Sequence, residues 1–199
     1  PLKTGGKGLM IELMYNTPVS WAEGVVDALD DFLPDHAAAE KKASSMAMGM
    51  VAHYPDRPEL VMAMIDLAIE ELNHYRAVVK LMNERGLCLL ADEKDPYVNR
   101  LRRAIRHGKE YYLMDRLLVG GIIEARGAER FGLVAHALPP GALQRFYRSI
   151  THSEEAHQEL FIQLAELYFD PAQTRSRLHE LLTVEADIVL ELPLRPALH

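Results

Sequence analysis

Cysteine is nearly missing. Among 199 residues there is one, Cys88, so no intrachain disulfide can form and no cysteine-based zinc or iron–sulfur site can be built. Such usage fits a reducing compartment. Long apolar runs are also lacking: each is cut by charge within a few residues, and no membrane span is expected. In the opening stretch Pro1 to Met14, the short run Leu9-Met10-Ile11 is ended by Glu12. It does not read as a secretory signal, and the expected location is cytoplasmic. Signals for β-strands are scarce. Positive charge is in deficit, with 22 Lys and Arg against 29 Asp and Glu for a net charge of −7. That argues against a general nucleic-acid coat protein but leaves room for one local basic face. What remains is 49% apolar and 26% charged residues, the balance of a soluble globular chain. The length suits a single domain over residues 1–199, with a core of about residues 34–170.

Helical periodicity runs almost throughout, and proline punctuates it. A short helix is expected from about Pro18 to Phe32, with Pro34 as the first residue of a long helix that stops near Tyr54-Pro55. Asp56-Arg57-Pro58 reads as the cap and first turn of a second long helix, ending at Gly86. Asp95-Pro96 opens a third, running to about Gly132 with bends near Gly108 or Gly120-Gly121. Pro139-Pro140-Gly141 precedes a fourth, ending near Asp170-Pro171, and a last helix covers about Ala172 to Leu190. The expected fold is all-α: an antiparallel four-helix bundle with additional N- and C-terminal helices.

The second long helix holds Glu71-Leu72-Asn73-His74 and the fourth holds Glu154-Glu155-Ala156-His157. In Glu-x-x-His, positions i and i+3 share a helix face, so a carboxylate and an imidazole can meet one point. The helix before each supplies a further glutamate, Glu40 or Glu124, at offsets of 31 and 30 residues. The chain thus reads as two helix pairs, each Glu…Glu-x-x-His. Apolar or small neighbours turn these glutamates toward the core: Ala37-Ala38-Ala39 before Glu40, Leu67-Ala68-Ile69 before Glu71, Gly120-Gly121-Ile122-Ile123 before Glu124, and Ile150 and Phe161 around Glu154. Four buried carboxylates are tolerable only if neutralised, which metal ions of total charge about +4 would do. Hard oxygens plus imidazole suit iron or manganese. Glu70 and Glu155 lack matched partners and are read as decoys. The doubled motif resembles that of ferritin-like di-iron and di-manganese carboxylate proteins.

Other residues carry weaker signals. His36, four before Glu40, can look toward the site, although a partly exposed helix histidine is the plainer reading. Tyr147, seven before Glu154, reads as core tyrosine or as a hydrogen-bond partner of that glutamate. Met46, Met48, Met50, Met62 and Met64 read as gap-filling core, and Cys88 is given no role. Between Asn99 and Arg116 stand Arg100, Arg102, Arg103, Arg106, Lys109 and Arg116 against Glu110 and Asp115. On a continuous helix Arg102, Arg106, Lys109 and Arg116 share a face, either a solvated stripe or one that binds phosphates.

Three segments resemble the di-iron tRNA hydroxylases that act on methylthio-isopentenyl-adenosine beside the anticodon. Asp35-His36-Ala37-Ala38-Ala39-Glu40-Lys41-Lys42-Ala43-Ser44 is similar to that family's first metal helix, and His53-Tyr54-Pro55-Asp56-Arg57-Pro58-Glu59-Leu60 to its first interhelical turn. Ile69-Glu70-Glu71-Leu72-Asn73-His74-Tyr75 is similar to its second metal helix. The resemblance implies two iron ions, with Glu71 and Glu154 bridging, Glu40 and Glu124 terminal, and His74 and His157 on one iron each. It further implies O2-dependent hydroxylation of an allylic methyl of the isopentenyl group, a tRNA substrate docked on the basic stripe, and an external electron donor such as a ferredoxin or flavodoxin system. Gly120 and Gly121 would then leave room for the prenyl chain. The rival expectations are a ferritin-like iron oxidase or storage protein, a manganese catalase-like peroxide enzyme, and a helical adaptor without catalysis.

Overall fold

The computed structural model describes residues 10–109 and 111–199. Most of the opening segment discussed above, and Glu110 of the basic cluster, lie outside the described residues. Among these residues there are seven helices: α1 (Val19–Asp27), α2 (Leu29–His53), α3 (Pro58–Glu84), α4 (Pro96–Arg102), α5 (Tyr112–Ala137), α6 (Ala142–Tyr168) and α7 (Pro171–Glu191). No strand occurs among them, and no helix is long and apolar enough to cross a membrane. The all-α expectation holds.

Proline and glycine signals place most boundaries. Pro58 and Pro171 are first helical residues, where the missing N–H costs nothing. Asp170 caps α7 by accepting from Gln173 N at 2.9 Å. Past the end of α3, Gly86 sits at φ +72°, and Leu87 N reaches back to Met82 O at 2.9 Å.

Two boundaries differ from expectation. The first break falls at Ala28 (φ −115°, ψ 40°), and Pro34 lies inside α2. Its ring removes only the bond to the carbonyl of Asp30, an exposed residue whose carbonyl water can satisfy. The third long helix is two: α4 stops at Arg102 and α5 starts at Tyr112. Gly108 at φ +128° is the break, a conformation closed to other residues, whereas Gly120 and Gly121 sit inside α5 without interrupting it. With no continuous helix through this region, Arg102, Arg106, Lys109 and Arg116 do not share a helical face.

The chain forms two compact units. One comprises 18–95, 133–147 and 194–199. In it α2 packs along α3, joined by the short turn 54–57, over a core of Phe32, Leu33, Met50, Leu60, Met64 and Met82. Met48 and Met62 are 48% and 58% exposed, contrary to their reading as core. After α3, residues 87–95 form a loop held to α2 by Lys41 to Asp92 (2.7 Å) and Lys42 to Glu93 O (2.8 Å); it carries Cys88, which is exposed.

The other unit comprises, among the described residues, 10–17, 96–109, 111–132 and 148–193. Here Arg126 of α5 is fully buried. Its guanidinium donates to Glu185 Oε1 and Oε2 at 2.8 and 3.0 Å, to Glu129 Oε2 at 2.7 Å and to Tyr15 O at 2.9 Å. Burial disfavours its charge, but the two glutamates more than restore it, so its pKa is raised. Tyr97 of α4 also donates to Glu185, at 3.1 Å. One carboxylate on α7 thereby ties α4 to α5, and Arg126 carries the link on to the segment before α1.

Candidate metal centre

The doubled motif appears as two triads, one in each unit. In the first, Glu40 comes from α2 and Glu71 and His74 from α3. Their candidate ligand atoms lie within 4.8 Å of one another. His74 Nδ1 is 3.6 Å from Glu40 Oε2 and 3.4 Å from Glu71 Oε2. Glu40 is 3% exposed and Glu71 1%. In the second triad, Glu124 comes from α5 and Glu154 and His157 from α6. Their ligand atoms also lie within 4.8 Å of one another, and all three residues are buried. His157 Nδ1 is 3.5 Å from Glu124 Oε2, matching the relation of His74 to Glu40.

The decoys stay outside. Glu70, 47% exposed at its side chain, comes only within 4.0 Å of His74 Nε2. Glu155 faces His152 at 3.6 Å, with half its side chain in solvent.

Electrostatics show what the first triad needs. Burial raises the Glu40 carboxyl above its usual range, against the opposing pull of His36 and His74. Burial pushes the His74 imidazole down, but Glu40 and Glu71 outweigh it and lift it to about 9. Without a cation the triad holds its negative charge by keeping a proton on His74. A metal ion does the same work and frees the imidazole to be a ligand.

The second triad is shaped for close approach. A Cβ on Gly127 would stand 2.9 Å from Glu154 Oε2, so any larger residue there would push the carboxylate aside. The signal was a small residue three positions after Glu124, on the same helix face. The donor set, glutamate oxygens with one imidazole per triad, fits a divalent transition metal such as iron or manganese. Gly120 and Gly121 do not leave the expected space. A Cβ on Gly120 would meet the Phe161 ring at 2.8 Å, and one on Gly121 would meet Ile11 Cδ1 and Phe161 Cβ at 3.2 Å, so these side chains fill the gap.

His36 and Tyr147 are both fully buried. His36 Nε2 lies 2.6 Å from Glu40 Oε1 and its Nδ1 lies 3.3 Å from Tyr147 Oη. Burial, and then the charge of Glu40, push the Tyr147 phenol well above its usual range, so it keeps its proton.

The basic cluster divides. Arg106 folds back on Asp115, its N, Nε and Nη2 reaching the carboxylate at 2.9, 3.1 and 2.7 Å, and lies over the Tyr111 ring at 4.5 Å. Arg177 reaches the same carboxylate at 2.9 Å. Arg100 pairs with Glu191. Arg116 lies over Tyr112 at 5.6 Å. Arg102, Arg103 and Lys109 are exposed.

A helical chain with Glu and Glu-x-x-His repeated on paired helices defines the ferritin-like class. The structure matches a solved chain, protein 43 with aldehyde deformylating oxygenase activity from Synechococcus, at a TM-score of 0.88 and 33% identity, covering 95% of this chain and 96% of that one. Within that class, the family model for tRNA-(MS[2]IO[6]A)-hydroxylase (MiaE) matches residues 9–199, and the chain belongs to this family. Two curated relatives, from Pseudomonas putida and Salmonella typhimurium, are both described as tRNA 2-(methylsulfanyl)-N(6)-isopentenyladenosine(37) hydroxylase. The first is 37% identical over 156 residues, 78% of this chain and 76% of the relative. The second is 32% identical over 198 residues, 95% of this chain and 72% of the relative.

Proposed function

We propose that this chain hydroxylates the isopentenyl group of 2-methylthio-N6-isopentenyladenosine at position 37 of tRNA, using two iron ions held by Glu40, Glu71, His74, Glu124, Glu154 and His157. The observation that carries the reading is the repetition of one triad geometry, His74 to Glu40 at 3.6 Å and His157 to Glu124 at 3.5 Å, in a chain matched to the family over residues 9–199. Bound iron would supply the chemistry that protein side chains lack, the use of O2 against an allylic C–H bond. The chain's own residues hold and insulate that chemistry. In this reading Glu71 and Glu154 would be the carboxylates shared by the two metals, Glu40 and Glu124 would each serve one metal, and one histidine would go to each. His74 would have to be deprotonated to act as a ligand. Burial of the carboxylates keeps water from competing for their oxygens.

The substrate is a polyanion and the chain carries a net charge of −7, so attraction must be local. Arg102, Arg106, Lys109 and Arg116 are retained as the docking region, with exposed Arg102 and Lys109 touching phosphate and Arg106 and Arg116 shaping the turn between α4 and α5. An external donor such as a ferredoxin or flavodoxin system supplies electrons, and the activity belongs in the cytoplasm.

The test is aerobic turnover of modified tRNA with a chemical reductant, read by mass spectrometry of the released nucleosides. Metal analysis decides between iron and manganese. The Synechococcus likeness supports a second reading, an oxygenase acting on an aldehyde. An aldehyde offered in place of tRNA separates the two: turnover of the aldehyde with untouched tRNA would overturn the first.

A further inference from the structure

The two triads match, but what stands behind them does not. Four residues before Glu40 is His36, and four before Glu124 is Gly120. Phe161 fills the space over Gly120, its ring 2.8 Å from where a Cβ would be. His36 is instead fully buried, with Nε2 2.6 Å from Glu40 Oε1 and Nδ1 3.3 Å from Tyr147 Oη. Its ring is caged by aromatic neighbours, with centroids at 5.9 Å to Phe32, 6.2 Å to Phe146 and 5.6 Å to Tyr147.

We propose that His36, itself oriented by Tyr147, is a positioning residue that selects which oxygen of Glu40 is presented to a metal. The inference rests on the metal reading above and adds to it an inequivalence between the two metal positions. As a metal ligand Glu40 is ionised and only accepts hydrogen bonds, so Nε2 of His36 donates to Glu40 Oε1. Nδ1 is then the acceptor, and the Tyr147 O–H donates to it. Tyr147 thus fixes the tautomer, and the cage fixes the ring plane. With Oε1 engaged, Glu40 offers Oε2, the oxygen that faces His74 Nδ1 at 3.6 Å. Glu40 becomes a one-oxygen ligand of fixed direction. Glu124 has a glycine at the matching position, so no imidazole of its own helix holds it this way. The metal beside Glu40 would therefore be held by a preset donor, and the metal beside Glu124 by one with no histidine at the matching position.

Cobalt(II) titration of the metal-free full chain, followed by visible absorption, tests this without turnover. The parent should bind two cobalt ions per chain at distinguishable strengths. His36→Ala should weaken one of the two positions about 10- to 100-fold and leave the other unchanged, the usual effect of removing a ligand's hydrogen-bond partner. His36→Gln, whose amide N–H can still donate to the carboxylate, should recover most of that loss. Tyr147→Phe keeps the volume and should shift the cobalt bands of the same position with a smaller loss of affinity. If His36→Ala fails to fold, the other two variants carry the test. Parental isotherms and spectra in the histidine variants and in Tyr147→Phe would overturn the inference while leaving the metal reading intact. A parent chain that binds no cobalt would overturn both.

Discussion

Gly127 makes the sharpest single-residue prediction. Adding a methyl there puts a carbon 2.9 Å from Glu154 Oε2, and the flexible glutamate must give way. Alanine is the better helix former by about 1 kcal/mol, so Gly127→Ala should melt no lower than the parent while its metal content falls. A lower melting temperature together with full metal loading would contradict this. His74 gives a pH prediction. Its folded pKa, raised to about 9, means that the metal-free chain has its full contribution below the unfolded value of about 6.5 and loses it as pH rises through 9. Metal binding expels the same proton, so affinity should climb over that window. Calorimetry in buffers of different ionisation enthalpy reads the proton release directly. The sequence pointed to Glu71 with His74 and Glu154 with His157 through i and i+3 spacing on a helix, which survives any tertiary context. It pointed to Glu40 and Glu124 through the matched offsets of 31 and 30 residues. Gly127 and the His36–Tyr147 pair were not legible there: a cradle depends on how closely two helices approach, and Tyr147 was matched by spacing to Glu154, whereas its hydroxyl meets His36.

Among the elements, the turn between α4 and α5 departs furthest from the sequence reading. Proline caps and the Gly86 stop were readable because they act through local backbone geometry. A bend at Gly108 was readable too, but the full separation of α4 from α5 was not. The turn is also held by Asp115, a fully buried carboxylate in the first turn of α5 that gathers Arg106 and Arg177. Asp115→Asn should cost about 2 kcal/mol in urea unfolding, the scale of losing hydrogen bonds to a charged group when one partner, Arg106, is 37% exposed and can rehydrate. Burial alone would raise the Asp115 carboxyl, but the two arginines and the Arg106 N–H win and hold it below its usual range. Its stabilising contribution is therefore present above the unfolded carboxylate range and lost as pH falls through the depressed value. The parent should lose stability on acidification more steeply than Asp115→Asn.

At the scale of the whole molecule, the internal repeat is the organising fact. Each compact unit holds one triad, and the offsets of 31 and 30 residues gave this away in the sequence. Glu71→Ala or Glu154→Ala should abolish hydroxylation yet leave a helical fold, because removing one carboxylate also relieves repulsion in the metal-free core. Circular dichroism alongside the nucleoside assay checks both halves. For tRNA, Arg102→Glu with Lys109→Glu should flatten the salt dependence of binding by about 1–2 units of log–log slope. Arg106 is left out of that variant because it holds Asp115.

The loop of residues 87–95 leaves the chain's one thiol, Cys88, in solvent, while Lys41 and Lys42 clasp the loop to α2. A maleimide fluorophore added to the unaltered protein therefore attaches at a single known point on a tethered strap. Paired with a dye on the anticodon arm of a tRNA, it makes the wild-type chain its own ruler for how the substrate lands.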